Sequence, residues 1–242
     1  SHVAPCGGRL QVVDDLPGLQ RRLAGELESR ARAAIAGRGA FSMALPGGSI
    51  AEAFFPTLAM LAVDWSRTDF FWIDERAVAP GDPDSNYGLA SRLWLTPAGV
   101  PASRVHRLRG EAIDLEQAAR MAAEELIAIA GDPPRLDVVL AGAGEDGHVA
   151  SLFAGCGTGP RPGQDALVAA VYDSPKPPPR RLTLTMPALS GAGLVVVAAL
   201  GRSKAVAVRD ALGTGGCTTP LAELLRRAKA SLVLIDREAA LC

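Results

Sequence analysis

The stretch LDVVLA, Leu136 to Ala141, is a near-continuous apolar run. A run this short and this apolar reads as a strand buried on both faces, the mark of a parallel sheet covered by helices. Glycines follow it at 142, 144 and 147, spelling G-x-G-x-x-G, with Asp146 and His148 set into the turn and a short helical piece expected beyond. The rest of the chain supplies the layers such a strand needs. Strands are expected at Leu10–Asp14, Phe41–Leu45, Asp69–Ile73, Ala166–Tyr172, Leu194–Leu200 and Ser231–Ile235. Helices are expected at Leu16–Ile35, Ala51–Leu61, Tyr87–Leu95, Leu115–Ala130 (with Asp114 as N-cap), Lys204–Leu212 and Leu221–Lys229. This alternation predicts an α/β fold, a mostly parallel central sheet with helices on both faces. Sites in such sheets lie beyond the carboxyl ends of the strands. Three glycine- or charge-bearing motifs, at 46–49, 74–76 and 142–148, directly follow predicted strands.

The bulk properties narrow the function classes. The 242 residues suffice for one well-buried domain, expected to span 1–242, with residues 1–8 read as a tag remnant or flexible N-terminus. A net charge of −1 gives no bulk attraction to nucleic acid or to an anionic membrane. No apolar run approaches the ~18 residues of a membrane span, and no signal peptide is visible. The four cysteines are scattered without a C-x-x-C pair, so neither a zinc site nor a disulfide framework is expected. A cytoplasmic monomer without metal, nucleic-acid partner or membrane is the expectation.

Each motif has a chemical and an ordinary reading. G-x-G-x-x-G could be a dinucleotide fingerprint, but only about eight residues follow before GCGTGPRPG ends any helix. Alternatively, His148 is a general base whose tautomer is fixed by Asp146, or simply a helix cap. Gly47-Gly48-Ser49 presents free amides at a helix start, suited to a phosphate, or is a tight turn. Asp74-Glu75-Arg76 offers Arg76 as a phosphate clamp and Asp74 as a proton-transfer or substrate-holding group, or is a surface ion-pair cluster. SPKPPPRRLTLT is a stiff loop presenting Lys176, Arg180 and Arg181, or is merely rigid. His106 has no chemical neighbours in sequence and reads as structural.

Taken in order, four motifs resemble the 6-phosphogluconolactonase family: LPGGS, DERAVAPGDPDSNYG, GAGEDGHVASLF and SPKPPPRRLTLT. The resemblance implies a Rossmann-like three-layer α/β/α sandwich that uses no cofactor. It implies hydrolysis of a sugar-phosphate lactone, 6-phospho-D-glucono-1,5-lactone, to 6-phosphogluconate in the oxidative pentose phosphate pathway. It further implies His148, Asp146 and Asp74 as catalytic residues. Gly47, Gly48, Ser49, Arg76, Lys176, Arg181, Gly142 and Gly144 would bind substrate. Pro46, Ile50 and Ala154 depart from the family's usual Ser, Thr and Pro. Glucosamine-6-phosphate deaminases share related motifs but carry a catalytic Glu five residues after the histidine, where this chain has Phe153. Sugar-phosphate-sensing regulators share the fold but bring a DNA-binding segment that this chain does not show.

Overall fold

The apolar runs pair side by side as their burial demands. The computed structural model describes residues 2–3, 8–154, 166–213 and 216–241. Its elements run β1 (His2–Val3), β2 (Arg9–Val13), α1 (Leu16–Arg38), β3 (Phe41–Leu45), α2 (Gly48–Leu58), β4 (Thr68–Trp72), β5 (Asp74–Arg76), α3 (Asn86–Ala90) and α4 (Leu115–Ala130). The second half adds β6 (Val138–Gly142), β7 (Val168–Val171), β8 (Arg181–Leu184), α5 (Met186–Ser190), β9 (Leu194–Ala199), α6 (Ala205–Leu212), α7 (Pro220–Arg227) and β10 (Ser231–Asp236).

The main sheet has the order β1-β2-β10-β9-β6-β3-β4. Every pairing from β2 to β4 is parallel; only β1, at the edge, is antiparallel. Helices flank the sheet, and the architecture is the expected Rossmann-like α/β/α sandwich. The helix ends obey local rules. Asp15 caps α1 by accepting from the Gly18 amide at 2.8 Å, and Asp114 caps α4 by accepting from Gln117 at 2.9 Å. Residues 2–3, set aside in the sequence as a tag remnant, pair with Leu10 and Arg9.

Four features differ from the sequence expectation. The helix expected from Ala51 begins at Gly48, so the glycine-serine turn is itself the first turn of α2. The Tyr87–Leu95 helix is α-helical only over Asn86–Ala90 and continues as a π turn over Ser91–Leu95. Among the described residues directly after β6, 143–154, there is no helix. There the Gly144 amide donates to the His148 carbonyl and the Gly147 amide to the Gly144 carbonyl, which turns the chain back on itself. Finally, a second, antiparallel sheet, β5-β8-β7, stands apart from the first. Its strands are three and four residues long, too short to carry a period. Ile73 is the hinge between the sheets. Its amide donates to Leu45 in the main sheet, while its carbonyl accepts from Leu184 in the second.

Behind the sheet edge an aromatic cluster fills the core. Trp94 is fully buried and meets Phe55, Trp65 and Phe70 at ring distances of 5.2, 5.2 and 5.3 Å. Its indole N–H has no hydrogen-bond partner among the described residues. His106 stacks on Phe71 and bonds Asp69 and Glu125, near the amino end of β4 and away from the sheet's carboxyl edge. No helix among the described residues is long and apolar enough to cross a membrane. Cys217 is a free thiol; Cys6, Cys156 and Cys242 lie outside the described residues.

The cluster yields a test. Trp94→Ala should cost about 3–5 kcal/mol in urea unfolding, the usual loss for a buried large aromatic. Trp94→Phe should cost clearly less, because the ring stays and the deleted N–H had no partner to lose. Equal losses in the two variants would remove the ring contacts as the source of stability.

Candidate functional site

From β3 the chain moves to β4 on one side, then returns to β6 on the other side of β3. The connections leaving β3 and β6 therefore diverge, and a crevice opens at their carboxyl ends. A cavity of ≈ 170 Å³ lies there. Its walls come from Pro46–Ile50 after β3, from Ile73, Asp74 and Arg76 at the sheet hinge, and from Gly142, Ala143, Gly144, His148 and Ala150 after β6. Asn86, Arg181 and Lys204 complete it. Three motifs far apart in sequence thus meet at one place.

The β3 side is an amide-rich rim. Gly47 is the N-cap of α2 and supplies no side-chain hydrogen bond, so the first-turn amides are left for another acceptor. A Cβ on Gly47 would lie 1.7 Å from Asn86 Oδ1. Only glycine lets the loop approach Asn86 so closely.

The hinge delivers two acids with different tasks. Glu75 is 3% exposed and accepts from the amides of Arg76, Asn86 and Tyr87, each at 2.8 Å, and from the Ser85 hydroxyl at 3.0 Å. Burial pushes its carboxyl up, while those hydrogen bonds work against the shift. It is a buried pin for the start of α3, not a surface cluster. Asp74 is 6% exposed. Its Oδ2 accepts from Ser151 Oγ at 2.6 Å and lies 3.7 Å from Arg181 Nη1; its Oδ1 accepts from Asn86 Nδ2 at 3.2 Å. Arg76 donates to the Asp84 carbonyl at 2.7 Å. Two buried polar atoms of cavity residues lack partners among the described residues: Arg76 Nε and Asn86 Oδ1.

The cations divide. Arg181 lines the cavity, but its Nε donates to Pro178, its Nη2 to Lys176 and Pro177 carbonyls, and its Nη1 to Ser151 Oγ. It pins the proline loop to the site. Arg180 sits over the Tyr172 ring at 5.7 Å. Lys176 lies 3.9 Å from Asp146 and is half-exposed, at the rim and not among the cavity walls. Lys204, not singled out in the sequence, is a wall residue.

On the β6 side His148 Nδ1 is 2.5 Å from Asp146 Oδ1, which also accepts from the His148 amide at 3.2 Å. No protein hydrogen bond occupies Nε2 among the described residues. The ring lies against Phe153, 4.6 Å between centroids. A Cβ on Gly144 would stand 1.9 Å from His148 Nδ1, so glycine is required beneath the imidazole. Burial lowers the His148 pKa, and the hydrogen bond and charge of Asp146 only partly restore it. Burial acts to raise the Asp146 pKa, yet the hydrogen bonds and charge of His148 hold it below the ordinary range. The pair is therefore a neutral imidazole beside a carboxylate at neutral pH, with one ring nitrogen free. Such a pair can take a proton from a water or hydroxyl. Among the described residues no group of His, Cys, Asp and Glu is arranged to hold a metal. Residues 155–165, which include the GCGTGPRPG stretch expected to end any helix after the histidine turn, lie outside the described residues.

In an NMR titration His148 should lose its proton below the ordinary value of 6.5. Asp146→Asn should shift that pKa lower still, because it removes the charge that favours imidazolium. An upward shift would show that Asp146 is not the controlling partner.

Comparison with known proteins fits this geometry. The family model described as glucosamine-6-phosphate isomerases/6-phosphogluconolactonase matches residues 14–234. A probable chloroplastic 6-phosphogluconolactonase of Oryza sativa subsp. indica is 35% identical over 83% of this chain; the match spans 62% of the rice protein, less than two thirds of its length. A 6-phosphogluconolactonase of Streptomyces coelicolor is 39% identical over 85% of this chain and 83% of its own. The solved 6-phosphogluconolactonase of Trypanosoma brucei superposes with a TM-score of 0.82 at 26% identity, covering 96% of this chain and 97% of its own. The chain belongs to the glucosamine-6-phosphate isomerase/6-phosphogluconolactonase family.

Proposed function

We propose that this protein hydrolyses 6-phospho-D-glucono-1,5-lactone to 6-phosphogluconate, a step of the oxidative pentose phosphate pathway, with His148 as general base. The observation that carries the reading is the His148–Asp146 pair: Nδ1 is committed to the carboxylate at 2.5 Å, and Nε2 has no hydrogen-bond partner among the described residues, in a cavity walled by amides and cations. The names of the rice and Streptomyces relatives support the substrate.

In this reading the phosphate rests on the α2 amides of Gly48 and Ser49, beside Arg76 and Lys204. Arg181 and Lys176 add positive potential, since their donors serve the proline loop and Asp146. His148 Nε2 takes a proton as water attacks the lactone carbonyl. The C–O bond to the ring oxygen then breaks, and His148 returns the proton to that oxygen, leaving the acid. The Ala143 amide, next to the Gly144 amide that the turn consumes, is the candidate donor to the tetrahedral oxyanion. Asp146 holds the tautomer and steadies the imidazolium. Asp74 positions Asn86 and Ser151, and its remaining lone pairs can accept a sugar hydroxyl. Every group invoked comes from one chain, and the reaction needs no cofactor.

The deaminase alternative asks for a carboxylate where Phe153 packs against the imidazole. A phenyl ring relays no proton, so the lactonase reading is preferred.

The direct assay follows loss of lactone generated freshly by glucose-6-phosphate dehydrogenase. Wild type should accelerate hydrolysis above the spontaneous rate, and His148→Ala should lower kcat roughly 10²–10⁴-fold, the usual worth of a general base. The wild-type rate should fall with acid only below pH 6.5, because burial lowers the pKa of the base. No acceleration by wild type would sink the reading. Arg76→Ala should chiefly raise KM; unchanged affinity for 6-phosphogluconate would remove Arg76 from the phosphate site.

A further inference from the structure

Glu145 takes no part in the mechanism above. It precedes Asp146 in the turn after β6, and its side chain is 60% exposed. Its Oε1 lies 3.7 Å from Lys204 Nζ, whose side chain is only 23% exposed. The Ser203 hydroxyl also bonds it, and that bond and the Lys204 charge hold its carboxyl below the ordinary range. Lys204 is a wall of the same cavity as Gly48, Ser49 and Arg76. The short 3-10 turn that carries it, Arg202–Lys204, follows β9 and leads into α6.

The cation that faces the phosphate-compatible rim therefore already has an anion of its own. An ion pair this exposed is weak, so a phosphate dianion can displace it. While the cavity is empty, the carboxylate holds the long lysine side chain in one place. When a dianion arrives, the carboxylate must give up Lys204 or repel the newcomer across a short distance.

We propose that Glu145 is the resident counter-ion of Lys204 and is exchanged for the substrate's phosphate, so that it sets the affinity of the site for phosphorylated sugar acids. This rests on the phosphate placement given above. Glu145 acts through Lys204 and is a positioning residue, not a catalytic one.

The test is calorimetric binding of 6-phosphogluconate, gluconate and inorganic phosphate to the full chain. It compares wild type, Glu145→Gln, Lys204→Met and the double variant. Glu145→Gln should bind 6-phosphogluconate and inorganic phosphate about threefold more tightly at low salt, the scale of an exposed pair. The gain should shrink as ionic strength rises. Gluconate binding should not change. In the Lys204→Met background the Glu145 substitution should have no effect, as expected when one residue acts only through the other. Unchanged phosphate binding in Glu145→Gln, with weaker binding in Lys204→Met, would overturn the exchange and leave the phosphate site standing. Weaker binding of both sugar acids in Glu145→Gln would make Glu145 a structural brace and also overturn it. Wild-type binding in Lys204→Met would remove Lys204 from the phosphate site, and the exchange with it.

Discussion

The Asp74 carboxylate ties together segments that are far apart in the chain. It accepts from Asn86 at the start of α3 and from Ser151 after the histidine turn, and it faces Arg181 at the head of β8. A charge this buried is costly unless it is fully partnered. Here Arg181 supplies the opposite charge, and the arginine's remaining donors go to carbonyls of the proline loop. Ser151 stands between the two charges, accepting from one and donating to the other. Networks of this kind act as a unit, since each bond polarises the next. That one carboxylate links Asn86 with the His148 turn, through Ser151, and with the proline loop, through Arg181. Its 6% exposure makes a positioning task more natural than proton traffic with solvent.

Asp74 reaches this place because the chain changes sheets one residue earlier. Ile73 still bonds to β3, yet its carbonyl already belongs to β8. The hinge lifts Asp74, Glu75 and Arg76 off the main sheet and sets them over its carboxyl edge. The main sheet was legible because strands such as Leu136–Ala141 and Leu194–Ala199 are apolar on both faces, and only a parallel, helix-covered sheet satisfies that. The second sheet was not. Asp74–Arg76 and Arg181–Leu184 carry charges that periodicity treats as loop, and their burial depends on partners about a hundred residues away.

The same reason separates the site residues that sequence reasoning singled out from those it missed. Gly47, Ser49, Arg76, Gly144 and His148 follow strand ends and were legible by the carboxyl-edge rule. Lys204 also follows a strand, Leu194–Ala199, but the sequence reads it as the first residue of the helix expected over Lys204–Leu212. Asn86 reads as a helix start and Ser151 as one small residue in an apolar stretch. Glu75 reads as half of a surface pair, yet it is buried with four hydrogen bonds. Hydrophobic pattern reports where carbon is buried; it is silent about which polar groups are buried beside it.

G-x-G-x-x-G illustrates how one glycine pattern serves two chemistries. In a dinucleotide site the glycines lead into a helix whose free amides hold a pyrophosphate. Here the Gly144 and Gly147 amides are consumed within the turn, and the described residues up to 154 form no helix. The glycines instead clear space for the imidazole, since any Cβ on Gly144 would occupy the place of His148 Nδ1. Phe153 then closes the other side of the ring. An apolar face at that position removes water from the imidazole and disfavours its charged form, in line with its lowered pKa. A carboxylate there would instead favour imidazolium.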